Sequence, residues 1–430
     1  MKVLDYLRSN RMINSFIVLF TGDTISSALA IISTALIIKA IGLKDNGIIL
    51  MVQTYALFFD QIFNFKIFEG LIKFLSKSIY NKNTNGAKSY IKQGFYLDFA
   101  TAIIATIIGV LCINLGIKIM GWNNNIKPYL LIYMSTVLIN VSGVCIGVLR
   151  IFNKFNYISY INVFTNLIRT LLFLFGLIFK LKFNFYFMVE LISLLMKYIL
   201  YMIFAYKTLK INKLHDFIKM PLKIEKDFLI FSINTNLAST LDLPVNTLTT
   251  FMMNKYLGFE AISIYKVFEK IGLLVGKFSS PLNQILYPEL NKYVAIKDSK
   301  KAINLSKKIG IGIGLIGVLV LGLVVVSHKY WLYLLIPDYS IYFNSLCIYI
   351  LFIVFTNATA SVHSLFMALG YIKYVVPILL IINCTYIIIL INLIKLSGLT
   401  GVIIALFLQA LMVVFAKIFL MYKKDFSVLS

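Results

Sequence analysis

Lys266, Glu269, Lys270 and Lys277 lie in a stretch, 258–287, that is otherwise apolar enough to span a membrane. At 100° per residue the three lysines point within about 40° of one another, with Glu269 about 60° to one side. A lysine at the centre of a spanning helix costs about 2.5–3.5 kcal/mol on insertion scales. Three on one stripe predict a face turned to water or to an anionic cargo. At 1.5 Å per residue Lys266 and Lys270 sit about 12 and 18 Å below Gly258, too deep to reach either surface. Lys277, about 28 Å down, can snorkel to the inner surface.

Other apolar stretches carry polar stripes at helical spacing. Thr235, Ser239, Asp242, Asn246 and Thr249 share one face beside Pro244, which predicts a kink. Asp23, Ser27 and Thr34 form a second stripe, and Gln53, Asp60 and Asn64 a third. Asn162, Thr165, Asn166 and Arg169 align, as do Glu190, Lys197 and Tyr201, and Asn357, Ser361 and Ser364. Neutral Ser, Thr and Asn also serve as interhelical hydrogen bonds. Buried charge must be paired or hydrated, so the ionisable residues point to a functional interior.

Lys266, Lys270, Arg169, Lys277 and Lys197 are therefore the candidate cations for an anionic cargo, Arg as a fork and Lys as a point charge. Asn162, Asn166, Thr235, Ser239, Asn246 and Asn357 can hydrogen-bond hydroxyl groups. Asp23, Asp60, Asp242, Glu190 and Glu269 balance the cations or carry H+ or Na+. Lys66, Glu69 and Asp98 are expected at the membrane interface, and His363 packed off the polar face of its helix. Cys112, Cys145, Cys347 and Cys384 lie in apolar stretches without C-x-x-C spacing and read as small apolar residues. No cofactor or metal set is expected.

These stripes need long helices to hold them. The 430 residues are 60% hydrophobic and only 13% charged, with a mean hydropathy of +0.89. A soluble chain would be about 45–50% apolar and 25% charged; this is an all-α integral membrane protein. The net charge of +24 falls in short clusters between apolar runs, which argues for membrane topology and against nucleic acid. Spans are predicted at about 14–41, 47–72, 94–117, 128–149, 155–179, 183–206, 228–253, 258–287, 309–327, 341–369, 374–394 and 399–421. The first is read as retained, since Asp23 interrupts its apolar run. Of the 41 basic residues, 26 fall in one alternating set of loops and 9 in the other. The richer set is cytoplasmic, with both termini.

Lys39-Ala40-Ile41-Gly42 overlays Lys255-Tyr256-Leu257-Gly258 at an offset of 216, and the same offset puts Gln53 on Glu269. Arg150-Ile151-Phe152-Asn153 overlays Met367-Ala368-Leu369-Gly370 at an offset of 217. Two parallel six-span halves are expected, 1–206 and 228–430, joined by a cytoplasmic linker over 207–227, with the cargo site between lobes as in many transporters.

The chain resembles the polysaccharide transport branch of the multidrug/oligosaccharidyl-lipid/polysaccharide exporter (MOP) superfamily, the Wzx-type O-antigen flippases. The residues that carry the resemblance are Ile37 to Gly47, Tyr256 to Tyr265, Leu286-Tyr287-Pro288-Glu289-Leu290, Ala368 to Lys373, and Gly398-Leu399-Thr400-Gly401-Val402. Lys39 stands where the family more often has Arg. The resemblance implies two six-helix bundles around a cationic cavity and alternating access. Its implied cargo is an undecaprenyl-diphosphate-linked oligosaccharide, moved from cytoplasmic to outer leaflet with H+ or Na+ as driver. It also implies membrane lipid as a partner, and a polysaccharide polymerase and chain-length regulator as associates. A teichoic acid, teichuronic acid or lipid II flippase is the nearest rival. A drug/cation exporter would favour an acidic cavity. A membrane polymerase would carry a long outer loop with clustered Arg or His, whereas the outer loops here are short, so no enzyme is expected.

Overall fold

The computed structural model describes residues 11–65, 67–240, 244–277, 286, 289–294, 296 and 298–424, except the side chains of 11–16, 238, 239, 244, 246 and 424. Ser239, Asp242 and Asn246 therefore lie outside the described side chains. The regular structure is helical, as hydrocarbon requires of a chain whose backbone groups must pair within each span. Eight helical stretches among the described residues are long and apolar enough to cross a membrane. Two of them contain a break at a glycine, Gly42 and Gly398.

Two compact units divide the chain at 243/244. The first contains α1 (Arg11–Phe63), α2 (Ile67–Tyr80), α3 (Thr84–Leu111), α4 (Ile113–Met120), α5 (Lys127–Ile139), α6 (Ser142–Ile151), α7 (Phe155–Ile178), α8 (Phe183–Ile211) and α9 (Lys226–Thr240). The second contains a π-helical turn (Pro244–Leu248), α10 (Thr249–Leu257), α11 (Phe259–Lys277), α12 (Ser299–Trp331), α13 (Tyr339–Ala368) and α14 (Val375–Lys424).

The division differs from the boundary at 228 expected from the sequence, because α9 packs with the first unit. Gly70 of α2 brings the two helices so close that a Cβ there would lie 2.8 Å from Ser232 Oγ. Phe228 stacks edge-on with Phe74, and Asn236 donates to Ile62 O at 3.0 Å. The linker is strapped along α3. Lys88 pairs with Asp216 at 2.8 Å, Lys92 donates to Ile218 O and Met220 O, and Phe95 stacks on Phe217. Lys88 holds the Asp216 carboxyl below the usual carboxylate range through that hydrogen bond.

The internal repeat appears in the backbone. Gly42 (φ 80°, ψ 172°) and Gly258 (φ 83°, ψ −173°) each end one helix and begin the next. Asn153 (φ 55°) and Gly370 (φ 84°) are the second corresponding pair, both left-handed. A third pair, not evident from residue type, is Lys180 (φ 51°) and Gly398 (φ 57°). Hydrogen bonds repeat as well. Ser33 and Thr170 meet at 2.7 Å in the first unit, and Thr249 and Tyr386, each 216 residues on, meet at 2.6 Å in the second.

The fourth apolar stretch is broken between α5 and α6 at Asn140 (φ −75°, ψ 72°). Asp98, expected at the interface, is instead 1% exposed against this break. Its carboxylate accepts from the N–H of Val144 at 2.9 Å and from that of Gly143, capping α6 from another helix. The cap is needed because Val141, at the N-cap position of α6, has no acceptor of its own. In the second unit Lys417 is 7% exposed within α14 and donates to His363 Nδ1 at 3.1 Å. The helix runs to Lys424, slightly past the end at 421 expected for that span.

Candidate functional site: a charged cavity in the first unit

Three helices that carry predicted stripes converge in the first unit. Gly22 of α1 lies against Ser159 of α7, with no room for a Cβ, so these helices touch along their length. Ser33 bonds Thr170 between them, and Ser26 receives the Asn166 amide. Lys180, left-handed, turns α7 tightly into α8. On α7, Asn162, Asn166 and Arg169 follow at i, i+4 and i+7. On α8, Glu190, Ser193 and Lys197 follow at i, i+3 and i+7, as do Gln53, Ala56 and Asp60 on α1. The helical period thus aims all three stripes at one space.

That space is a cavity of about 240 Å³. Gln53, Asp60, Asn166, Arg169, Glu190 and Lys197 line it, with Tyr133 and Thr136 of α5 and Ser193 and Tyr198 of α8. Arg169 Nη1 lies 3.4 Å from Glu190 Oε2, and Gln53 Nε2 donates to the same oxygen at 3.2 Å. Among the described residues, buried Arg169 Nε has no acceptor and buried Ser193 Oγ has no partner. Lys197 makes no ion pair among the described residues; its Nζ stands 6.0 Å from the Tyr201 ring centroid. Asp60 accepts from Asn64 at 3.0 Å and from Asn140 on both oxygens, at 3.1 and 3.0 Å, which ties the cavity to the helix break. Thr101 of α3 donates to Asn64 Oδ1 at 3.2 Å behind it.

Five of the predicted site residues therefore line one cavity: Arg169, Lys197, Asn166, Asp60 and Glu190. Asn162 lies just outside, its Oδ1 accepting from the Tyr201 hydroxyl at 3.1 Å and its carbonyl from Asn166. Asp23 is exposed on α1 and acts electrostatically on Lys197. Thr235 bonds back to Phe231 O and Ser232 O within α9. Nothing in the residue pattern singles out the lining residues Tyr133, Thr136, Ser193 and Tyr198. Tyr198 is only one residue from Lys197 and Tyr133 sits in an apolar run, so neither stands out by spacing.

In the second unit Lys266, Glu269, Lys270 and Lys277 are all half-buried on α11. Lys266 Nζ lies 2.6 Å from Glu269 Oε2, and both side chains keep about a quarter of their exposure (23% and 28%). Asn357 bonds to Ile353 O and lines an apolar pocket of about 10 Å³ with Val275, Ile313 and Gly317, room for one water at most.

No family model matches the chain, and no curated protein does. Solved structures do. An inward-facing multidrug resistance MATE-family transporter of the MOP superfamily aligns at a TM-score of 0.77 with 13% identity, over 94% of this chain and 95% of that one. The lipid II flippase MurJ, in an inward closed conformation, aligns at 0.72 with 16% identity, over 94% and 87%. A MATE protein in a bent conformation aligns at 0.64 with 14% identity, over 100% and 98%. The chain is a multi-pass, all-helical membrane protein with the fold shared by MATE transporters of the MOP superfamily and by MurJ.

Proposed function

We propose that this protein is a flippase that carries a polyprenyl-diphosphate-linked oligosaccharide, an O-antigen or capsule repeat unit, from the cytoplasmic to the outer leaflet. The observation that carries the reading is the cavity holding Arg169 and Lys197 among hydroxyl and amide groups. Charges at membrane depth are expensive unless they serve a path, and these two cations suit phosphate or acidic-sugar oxygens. Ser193, Thr136, Asn166 and the phenols of Tyr133 and Tyr198 suit glycan hydroxyls. Lys266 and Lys270 are the candidate cargo cations of the second unit. The bacterial inner membrane is the setting, with both termini cytoplasmic, and H+ or Na+ drives the cycle through Asp60 or Glu190. The polymerase and chain-length regulator of the same surface glycan are its functional partners.

A drug or cation exporter is the second reading, favoured by the carboxylates Asp60 and Glu190 in the cavity and by the fold shared with a multidrug transporter. Both carboxylates already hold donors, Asp60 from two amides and Glu190 from Arg169 and Gln53, whereas Lys197 has no carboxylate within ion-pair distance among the described residues. That asymmetry favours an anion. Loss of the protein is expected to leave a lipid-linked glycan on the cytoplasmic leaflet, and wild type but not Arg169→Gln/Lys197→Gln is expected to clear it. Clearance by the double variant at normal expression removes the cationic cavity from the transport path. Drug efflux without glycan accumulation favours the exporter.

A further inference from the structure

The geometry points to an anion-exchange site at Arg169: Glu190 holds the guanidinium in the structure, and a cargo oxyanion replaces it there. The inference rests on the flippase reading only for the source of that oxyanion.

The Arg169–Glu190 contact is a poor version of what these groups can form. A forked Arg–carboxylate pair makes two parallel bonds of about 2.7–2.9 Å. Here one Nη1–Oε2 contact stands at 3.4 Å, and Nε is buried with no acceptor among the described residues. A guanidinium left this far below its bonding capacity gains by taking a better-placed oxyanion. Glu190 can be released without being stranded, because Gln53 already donates to the same Oε2 at 3.2 Å. Tyr133, from α5, adds a phenol beside both Gln53 and Glu190.

The site is also built for a second contact. Lys197 lies two turns along α8 from Glu190, on the same face, and lines the same cavity. An oxyanion entering at Arg169 meets this second cation, whereas Glu190, fixed to its helix, forms an ion pair only with Arg169 among the described residues. Exchange therefore replaces one long ion pair by a two-cation cradle.

Volume limits the ligand. A cavity of 150 Å³ binds benzene, so about 240 Å³ holds one charged group, a diphosphate or a single uronate ring, and not several sugars. The class of ligand is an oxyanion, with the rest of any glycan lying outside this cavity.

The test is equilibrium binding to the full-length detergent-purified protein by calorimetry, with pyrophosphate, glucuronate and glucose as separate probes. Pyrophosphate or glucuronate is expected to bind and glucose is not; the stronger of the two names the source. Glu190→Gln is expected to bind that anion about tenfold more tightly, since its resident competitor is gone. Arg169→Gln is expected to abolish binding. Gln53→Leu, which deprives a released Glu190 of its other donor, is expected to weaken it. Should Glu190→Gln fail to fold, Glu190→Asp shortens the carboxylate and is expected to tighten binding likewise. Unchanged or weaker binding in the folded Glu190 variant overturns the proposal, as does glucose binding as well as the anions. Leaflet translocation is scored separately. Tighter anion binding without glycan translocation sinks the flippase reading alone, and translocation without tightening sinks the exchange site alone.

Discussion

Gly42 and Gly258 hold nearly the same backbone conformation 216 residues apart, φ 80° and ψ 172° against φ 83° and ψ −173°. Positive φ with ψ near 180° belongs almost only to glycine, and elsewhere costs of order 1–3 kcal/mol. Each glycine sits where a Cβ would meet nothing within 4 Å, so backbone strain is the whole penalty. Gly42→Ala and Gly258→Ala are each expected to lower stability by about 1–3 kcal/mol in detergent melts. Gly312→Ala, at an open position inside α12, is expected to gain about 0.5–1 kcal/mol instead. Equal effects at all three positions would mean the turns are not conformationally required.

Asp98 acts on a helix it does not belong to. Its carboxylate is the acceptor for the first amides of α6, inside a span where water is scarce. Asp98→Ala is expected to destabilise by about 1–3 kcal/mol, combining a lost cap with buried unpaired donors. Asp98→Asn keeps one acceptor and is expected to recover more than half of that. A melt in which Asn and Ala behave alike would show that capping is not what this side chain does.

The strap along α3 carries its own pH dependence. Asp216 titrates below its unfolded value because Lys88 donates to its carboxylate. A depressed folded value gives stability that is fully present above the unfolded pKa, near 4, and is lost as pH falls through the folded one. Hydrogen exchange at residues 212–220, corrected for intrinsic rates, is expected to show protection that declines only below about pH 4. Lys88→Met is expected to flatten that decline. A decline that survives Lys88→Met assigns it to other carboxylates.

Much of this arrangement was legible in the residues. The helical period alone put Gln53 with Asp60, Asn166 with Arg169, and Glu190 with Lys197, and each pair faces the cavity. Which stripes face one another is a matter of packing, and nothing in the spacing of Glu190 names Gln53 as its donor. The position of Asp98 near a span end suggests an interface, while the helix break it serves is 42 residues away at Asn140. The polar cluster Asn140, Ser142 within an apolar run was the available signal. Lys180 and Gly398 share a positive φ with no residue type in common, so overlaying letters cannot pair them.

Lys266 offers the sharpest separation of structure from function in the second unit. Its Nζ lies 2.6 Å from Glu269 Oε2, an i, i+3 pair with each side chain about a quarter exposed. Screening at that exposure limits the pair to about 0–1 kcal/mol of stability. Lys266→Met removes the pair and leaves a half-buried carboxylate; Lys266→Met with Glu269→Gln removes both charges. The double variant is therefore expected to melt within about 1 kcal/mol of wild type. If Lys266 serves only Glu269, the double variant also transports as wild type does. If Lys266 meets the cargo, transport falls while the melt does not, and restoring stability through Glu269→Gln rescues nothing. The cationic-cavity reading expects the second result, with a fall of roughly tenfold for the loss of one charged contact. Wild-type translocation by the double variant would remove Lys266 from the cargo cations.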